Sequence, residues 1–234
     1  MYTLISKSKF RRTWFKNGIK HGIKHRKNNL PALTFKSGRK EWWVNGQRHR
    51  DNGPALLFPN GTKEWFLKNH HHNENGPAVI SKDRKEWWFL GERHRDNDLP
   101  AIEHSNGKKE WWFKGKRHRI YGSPAVVTAL GEELFYSLSE KYNIVKDKDR
   151  EFCLNVLGEF HSIDENPSVV WNCGTKEWHR AGELHRENFP AVVYANGDQE
   201  WWCFGRRHRL GGPAVVFGDK QYWFEYGNFI KCIA

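Results

Sequence analysis

A motif of about 23 residues recurs along this chain, and such a chain must fold as stacked copies of one small unit. Lys40-Glu41-Trp42-Trp43 returns as Lys63-Glu64-Trp65-Phe66, Lys85-Glu86-Trp87-Trp88 and Lys109-Glu110-Trp111-Trp112. It appears again as Lys176-Glu177-Trp178-His179 and Gln199-Glu200-Trp201-Trp202, with a last echo at Gln221-Tyr222-Trp223-Phe224. First-Trp spacings are 23, 22 and 24 residues, then 23 and 22 toward the C-terminal end. A Gly follows each aromatic pair (Gly46, Gly91, Gly115, Gly182, Gly205). Three residues later comes His-Arg: His49-Arg50, His94-Arg95, His118-Arg119, His185-Arg186 and His208-Arg209. Pro-Ala closes the motif at Pro54-Ala55, Pro100-Ala101, Pro124-Ala125, Pro190-Ala191 and Pro213-Ala214.

Turn chemistry sets the secondary structure. Asn-Gly pairs such as Asn60-Gly61, Asn106-Gly107 and Asn196-Gly197 favour the positive-φ turns of β-hairpins. With such a turn every 11–12 residues, each repeat is predicted to hold two strands, one Lys-Glu-Trp-Trp and one carrying Pro-Ala with its Val, Leu or Ile. Aromatic and β-branched enrichment agrees, and no segment keeps a 3.6-residue period. The fold expected is all-β, a solenoid of about nine to ten tandem antiparallel hairpins. Thirteen Trp supply its apolar area where aliphatic residues are few. A first unit opens at Trp14-Phe15-Lys16-Asn17-Gly18, with His25-Arg26 and Pro31-Ala32 after an insertion. Degenerate units are expected at Phe135 and at Phe152, Gly158, His161 and Pro167. Residues 138–150 lack the motif and read as an irregular insert or hinge between hairpin repeats 1–137 and 151–234.

Strand side chains alternate faces, so the paired aromatics form two stripes. These repeat-core and interaction residues are Trp42, Trp43, Trp65, Trp87, Trp88, Trp111, Trp112, Trp178, Trp201, Trp202 and Trp223. The net charge of +12 makes acidic proteins, nucleic acid and anionic lipid plausible neighbours. A basic stripe is expected along Arg48, Arg50, Arg93, Arg95, Arg117, Arg119, Arg186, Arg207 and Arg209. The Glu before each Trp and the Arg after each His suggest a Glu–Arg ladder between adjacent hairpins. Each repeat His is expected to satisfy a turn backbone, and His70-His71-His72 to form a solvated loop.

Catalysis has little foothold, because an active site is built once whereas these residues recur. No P-loop, nucleophile elbow or zinc motif occurs, and no catalytic, cofactor or metal residue is assigned. Asp147, Asp149 and Glu151 could cluster but read as a solvated face. Cys153, Cys173, Cys203 and Cys232 match no metal spacing and read as free thiols in a reducing compartment. The basic opening Met1 to Arg12 carries no secretory pattern, and no run reaches membrane-spanning length. An intracellular or particle-bound location is therefore expected.

Trp43-Val44-Asn45-Gly46-Gln47-Arg48-His49-Arg50, at its 23-residue period, resembles the MORN repeat over nearly the whole chain outside 138–150. Arg after His and Gly-Pro-Ala depart from the usual repeat, and that variant resembles repeat proteins of marseillevirus-type large DNA viruses. The resemblance implies an elongated, single-layer twisted sheet. It implies a scaffold that binds capsid or host proteins or self-associates, in host cytoplasm or virion. Nucleic acid and anionic lipid are the alternative partners.

Overall fold

A computed structural model describes residues 2–7, 11–16, 29–120 and 122–233 of the 234-residue chain. Asn17, Gly18, His25, Arg26 and the side chains of Trp14, Phe15 and Lys16 lie outside the described residues. Among the described residues every regular element is a strand and every named pairing is antiparallel. No helix there is long and apolar enough to cross a membrane. The chain divides into two compact units, residues 1–119 with 125–133, and 120–124 with 134–234.

Each unit is built on a ladder that follows chain order. In the first, Leu33–Phe35 pairs with Lys40–Glu41, that with Leu56–Leu57, and so on through Lys63–Glu64, Val79–Ile80, Arg84–Glu86, Ile102–His104, Lys109–Glu110 and Val126–Val127. In the second, Glu140–Lys146, Arg150–Leu154, Val169–Trp171, Lys176–Glu177, Val192–Val193, Gln199–Glu200, Val215–Phe217, Lys220–Glu225 and Asn228–Ile233 follow one another likewise. Tandem hairpins in a single ladder are thus what the repeat predicts.

The two-strand repeat needs correction, because Lys-Glu-Trp-Trp is not one strand. At Trp42 the N–H still donates to Ala55 across the ladder (2.8 Å), but its carbonyl accepts from His49, seven residues on (3.3 Å). The chain therefore leaves the ladder there. Trp43–Val44 and Gln47–Arg48 then close a second, very short hairpin. Trp87, Trp111, Trp178 and Trp201 make the same exchange with Ala101, Ala125, Ala191 and Ala214 on one side and their own repeat His on the other. A full repeat holds four short strands, and a row of small hairpins flanks the main ladder.

The small hairpins turn through two positive-φ residues. Asn45-Gly46 suits this (φ 49° and 79°), but Leu90, Phe204 and Tyr226 hold the same place at φ 47°, 44° and 44°. Bulky side chains strain there. Compensation comes from the preceding repeat: Phe204 stacks on His185 at 4.1 Å and Tyr226 on His208 at 4.0 Å. The N–H groups of Phe204 and Tyr226 donate to Nδ1 of those same rings, each at 3.4 Å.

Residues 138–150 are also regular. Glu140–Lys146 pairs with Glu133–Ser137 on one side and Arg150–Leu154 on the other. Tyr142, 1% exposed, packs with Cys153 and Ile163 in a small core, and Ile144 flanks it. The two-residue spacing of Tyr142 and Ile144 makes this an ordinary alternating strand. Asp147, read as part of an acidic face, accepts from the N–H groups of Asp149 and Arg150 (2.9 Å each) and closes the next turn.

The core is a row rather than a centre. Directly paired residues share a face, so one face of the first ladder reads Leu33, Glu41, Leu56, Glu64, Val79, Glu86, Ile102, Glu110, Val126. Beside it Ala32, Ala55, Ala78, Ala101 and Ala125 are all 0% exposed. Their methyl groups are wholly enclosed. Ala101→Leu should overpack its site and lower stability by about 1–3 kcal/mol. A drop in the urea midpoint at unchanged m-value checks this.

Candidate interaction surface

Buried carboxylates organise four of the repeats. Glu41, Glu86, Glu110 and Glu200 are only 2–4% exposed, yet each collects several donors. Glu86 accepts from the Trp88 indole (3.1 Å), Arg84 (2.5 Å) and Arg93 (3.2 Å). Glu200 accepts from Trp202 (2.9 Å), Arg207 (3.1 Å) and the Tyr194 hydroxyl (2.8 Å). Glu110 is met by Lys108, His104 and Arg117, and Glu41 by Trp43 and Arg39. Burial alone would raise the Glu86 carboxyl, but the bonds and charges of Arg84 and Arg93 outweigh it and hold it below its usual value.

The expected Glu–Arg ladder is thereby corrected. The Arg that reaches Glu precedes the His and belongs to the same repeat. Its small hairpin places Trp88 opposite Arg93, and Trp202 opposite Arg207. The Arg after the His does not reach the motif Glu, although Arg95 pairs with Glu103 (2.8 Å) and Arg119 with Asp98 (2.7 Å). Arg50, Arg95, Arg119, Arg186 and Arg209 lie over Trp42, Trp87, Trp111, Trp178 and Trp201 at 3.7–4.0 Å from the ring centroids. Four of them also donate to a Pro carbonyl: Pro54, Pro100, Pro190 and Pro213. Arg48, Arg93, Arg117 and Arg207 cover Trp43, Trp88, Trp112 and Trp202 at 4.7–5.2 Å.

Neither aromatic stripe is therefore open, and the basic stripe is not a free one. All nine of its arginines are half-buried, and so are Trp43, Trp65, Trp87, Trp88, Trp112, Trp201, Trp202 and Trp223. Trp42, Trp111 and Trp178 are buried. Cation–π contact and carboxylate pairing hold these groups to one another.

The histidines link successive repeats. The ring of His72 accepts from Leu90 N–H (3.4 Å), and that of His161 from Ala181 N–H (3.2 Å), as His185 and His208 accept from theirs. At Nε2, His49 faces Asp51 (2.8 Å) and His94 faces Asp96 (3.0 Å). The run His70 to His72 is no loop: His70–His71 pairs with Phe66–Leu67, and His71 takes the Arg place, bonding Glu64 at 2.9 Å. Among the described residues no three His, Cys, Asp or Glu side chains converge as a metal cage would require. All four cysteines are free, with Cys153 buried.

One repeat is re-plumbed. Ser168 stands where others have Ala, and His179 where others have the second Trp. The Ser168 hydroxyl and His179 Nδ1 are 2.8 Å apart, and Glu177 lies 3.8 Å from Nε2. The trio resembles a hydrolytic triad in composition, but Ser168 is 0% exposed and its hydroxyl also reaches the Glu177 carbonyl oxygen at 3.2 Å. Glu177 is engaged by the Trp171 indole (2.8 Å), so burial dominates His179, followed by the charge of Arg150, and pushes it down to about 4.

The opposite face of the first ladder escaped the sequence reading. It runs Thr34, Lys40, Leu57, Lys63, Ile80, Lys85, Glu103, Lys109, Val127. All four lysines are exposed, and none forms an ion pair among the described residues. The signal was present in the Lys that precedes five of the six motif Glu residues, all but Glu200, since neighbours in a strand face opposite ways.

No family model, curated protein or solved structure matches this chain.

Two acid responses follow from these shifts. A His whose folded value is depressed disfavours folding once the unfolded chain protonates. Stability should thus fall from pH 6.5 to 4, by roughly 3 kcal/mol for His179 alone. His179→Phe should flatten that segment of a pH series of unfolding curves. Glu86, depressed for the opposite charge type, stabilises above the ordinary Glu value and loses that stabilisation as pH falls through its lower folded value. At neutral pH, Glu86→Gln should cost about 1–3 kcal/mol and blunt the lower-pH loss in the same series.

Proposed function

We propose that this chain is a non-catalytic repeat scaffold that mediates protein–protein interaction. The observation that carries the reading is the repetition of one exposed surface at fixed strand spacing, while the groups that could do chemistry are consumed in holding the repeats. Repetition of this kind serves reach and multivalency. The resemblance to marseillevirus-type repeat proteins adds a minor virion component or a host-directed adaptor as its setting. The second reading, a binder of nucleic acid or anionic lipid, draws on the net charge of +12. It loses weight because the Arg-His-Arg groups lie on Trp rings and the rings are not free to stack bases.

Affinity purification from the native source at low and high salt separates the two. Discrete proteins retained at high salt are the expected result. Nucleic acid or lipid retained only at low salt, with no protein, would replace the scaffold reading with the second one.

A further inference from the structure

We infer that the lysine row of the first unit is a docking surface for an acidic amphipathic helix of a partner protein, a step that rests on the scaffold reading. Lys40, Lys63, Lys85 and Lys109 are exposed cations without an ion pair among the described residues, whereas the nine arginines of the expected basic stripe are half-buried against aromatic rings. An anionic partner fits them by charge.

The residues between the lysines narrow its chemistry. Leu57, Ile80 and Val127 are half-buried and sit directly across from the lysines. Glu103 breaks the pattern, but Arg95 holds its carboxylate at 2.8 Å. A phosphate backbone has nothing apolar to lay between its charges. A bilayer is also a poor fit, because the longer lysine stems lift the ammonium groups above the aliphatic side chains. A partner that alternates carboxylates with apolar groups satisfies both.

Spacing selects the helix. Successive lysines stand two strands apart, about 9.5 Å. Seven residues of helix rise about 10.5 Å, and a tilt of about 25° brings that projection to the lysine spacing. An extended segment repeats a face every ~6.7 Å and falls out of step. Because sheets twist, one straight helix engages two or three consecutive lysines. The corresponding row of the second unit runs Lys146, Glu151, Val170, Lys176, Val193, Gln199, Val216, Gln221, and because its two lysines stand three strands apart with Glu151 between them it makes a natural control.

The test uses the full chain and a labelled three-heptad peptide with Glu at every seventh position and Leu between them on the same face. An isomer of identical composition carries its Glu on the face opposite the Leu. Anisotropy titration should show the first peptide binding about tenfold more tightly than the isomer. Lys63→Gln with Lys85→Gln should remove about the same factor, and Lys176→Gln should change it less than about twofold. An unchanged thermal midpoint confirms that the double variant is folded. Equal binding of the isomers, binding indifferent to the double variant, or tighter lysine-dependent binding of a DNA duplex or phosphatidylserine vesicles would overturn the proposal. If the double variant used as bait retains the same native proteins as the unmodified chain, the lysine row is refuted and the scaffold reading stands. If the unmodified chain retains no protein, the scaffold reading itself fails.

Discussion

The buried carboxylates Glu41, Glu86, Glu110 and Glu200 are the constraint on which the rest of this structure depends. A thin ladder has no deep interior, so a charge facing its packed side must be answered within the repeat. Glu86 and Glu200 are answered by an indole N–H and a guanidinium, and the same Arg then lies over the same Trp. Arginine can do both because its fork donates in plane while its face stacks. A lysine could satisfy the carboxylate or cover a ring, as Lys231 covers Trp223, but it has no planar fork with which to do both at once. The carboxylate thus determines which cation stands five residues after the second Trp, and the small hairpin exists to bring that cation back.

Repetition, strand content and turn positions were legible in the sequence because each depends on local chemistry: Gly and Asn at positive φ, Trp and Val in strands, a fixed period. The break at the first Trp was not. It turns on whether the Trp42 carbonyl bonds across the ladder or back to His49, and no side-chain pattern distinguishes those choices. Tyr142 and Ile144 have the two-residue spacing of a strand, but the charged residues around them make 138–150 read as an irregular insert, and they hide a strand whose outer face is simply wet.

The candidate surface was misread for a related reason. Arg-His-Arg looks like an exposed basic stripe when charge is counted along the chain. In three dimensions every one of these arginines has a ring beneath it. The lysine of Lys-Glu-Trp-Trp attracts less notice, being one cation beside one acid. Alternation separates the two: Glu41 turns inward to its donors and Lys40 is left outside, in line with Lys63, Lys85 and Lys109.

The rings of His72, His161, His185 and His208 each accept their bond from the repeat that follows, so the connection at these junctions has a direction. His185 holds the turn at Phe204, and His208 holds the turn at Tyr226. Donor and acceptor are the same pair at every junction of this type. Excising or duplicating one whole period in frame would therefore join a familiar ring to a familiar turn. For such a chain, length is a quantity that genetic duplication can adjust in steps of one unit without inventing a new contact.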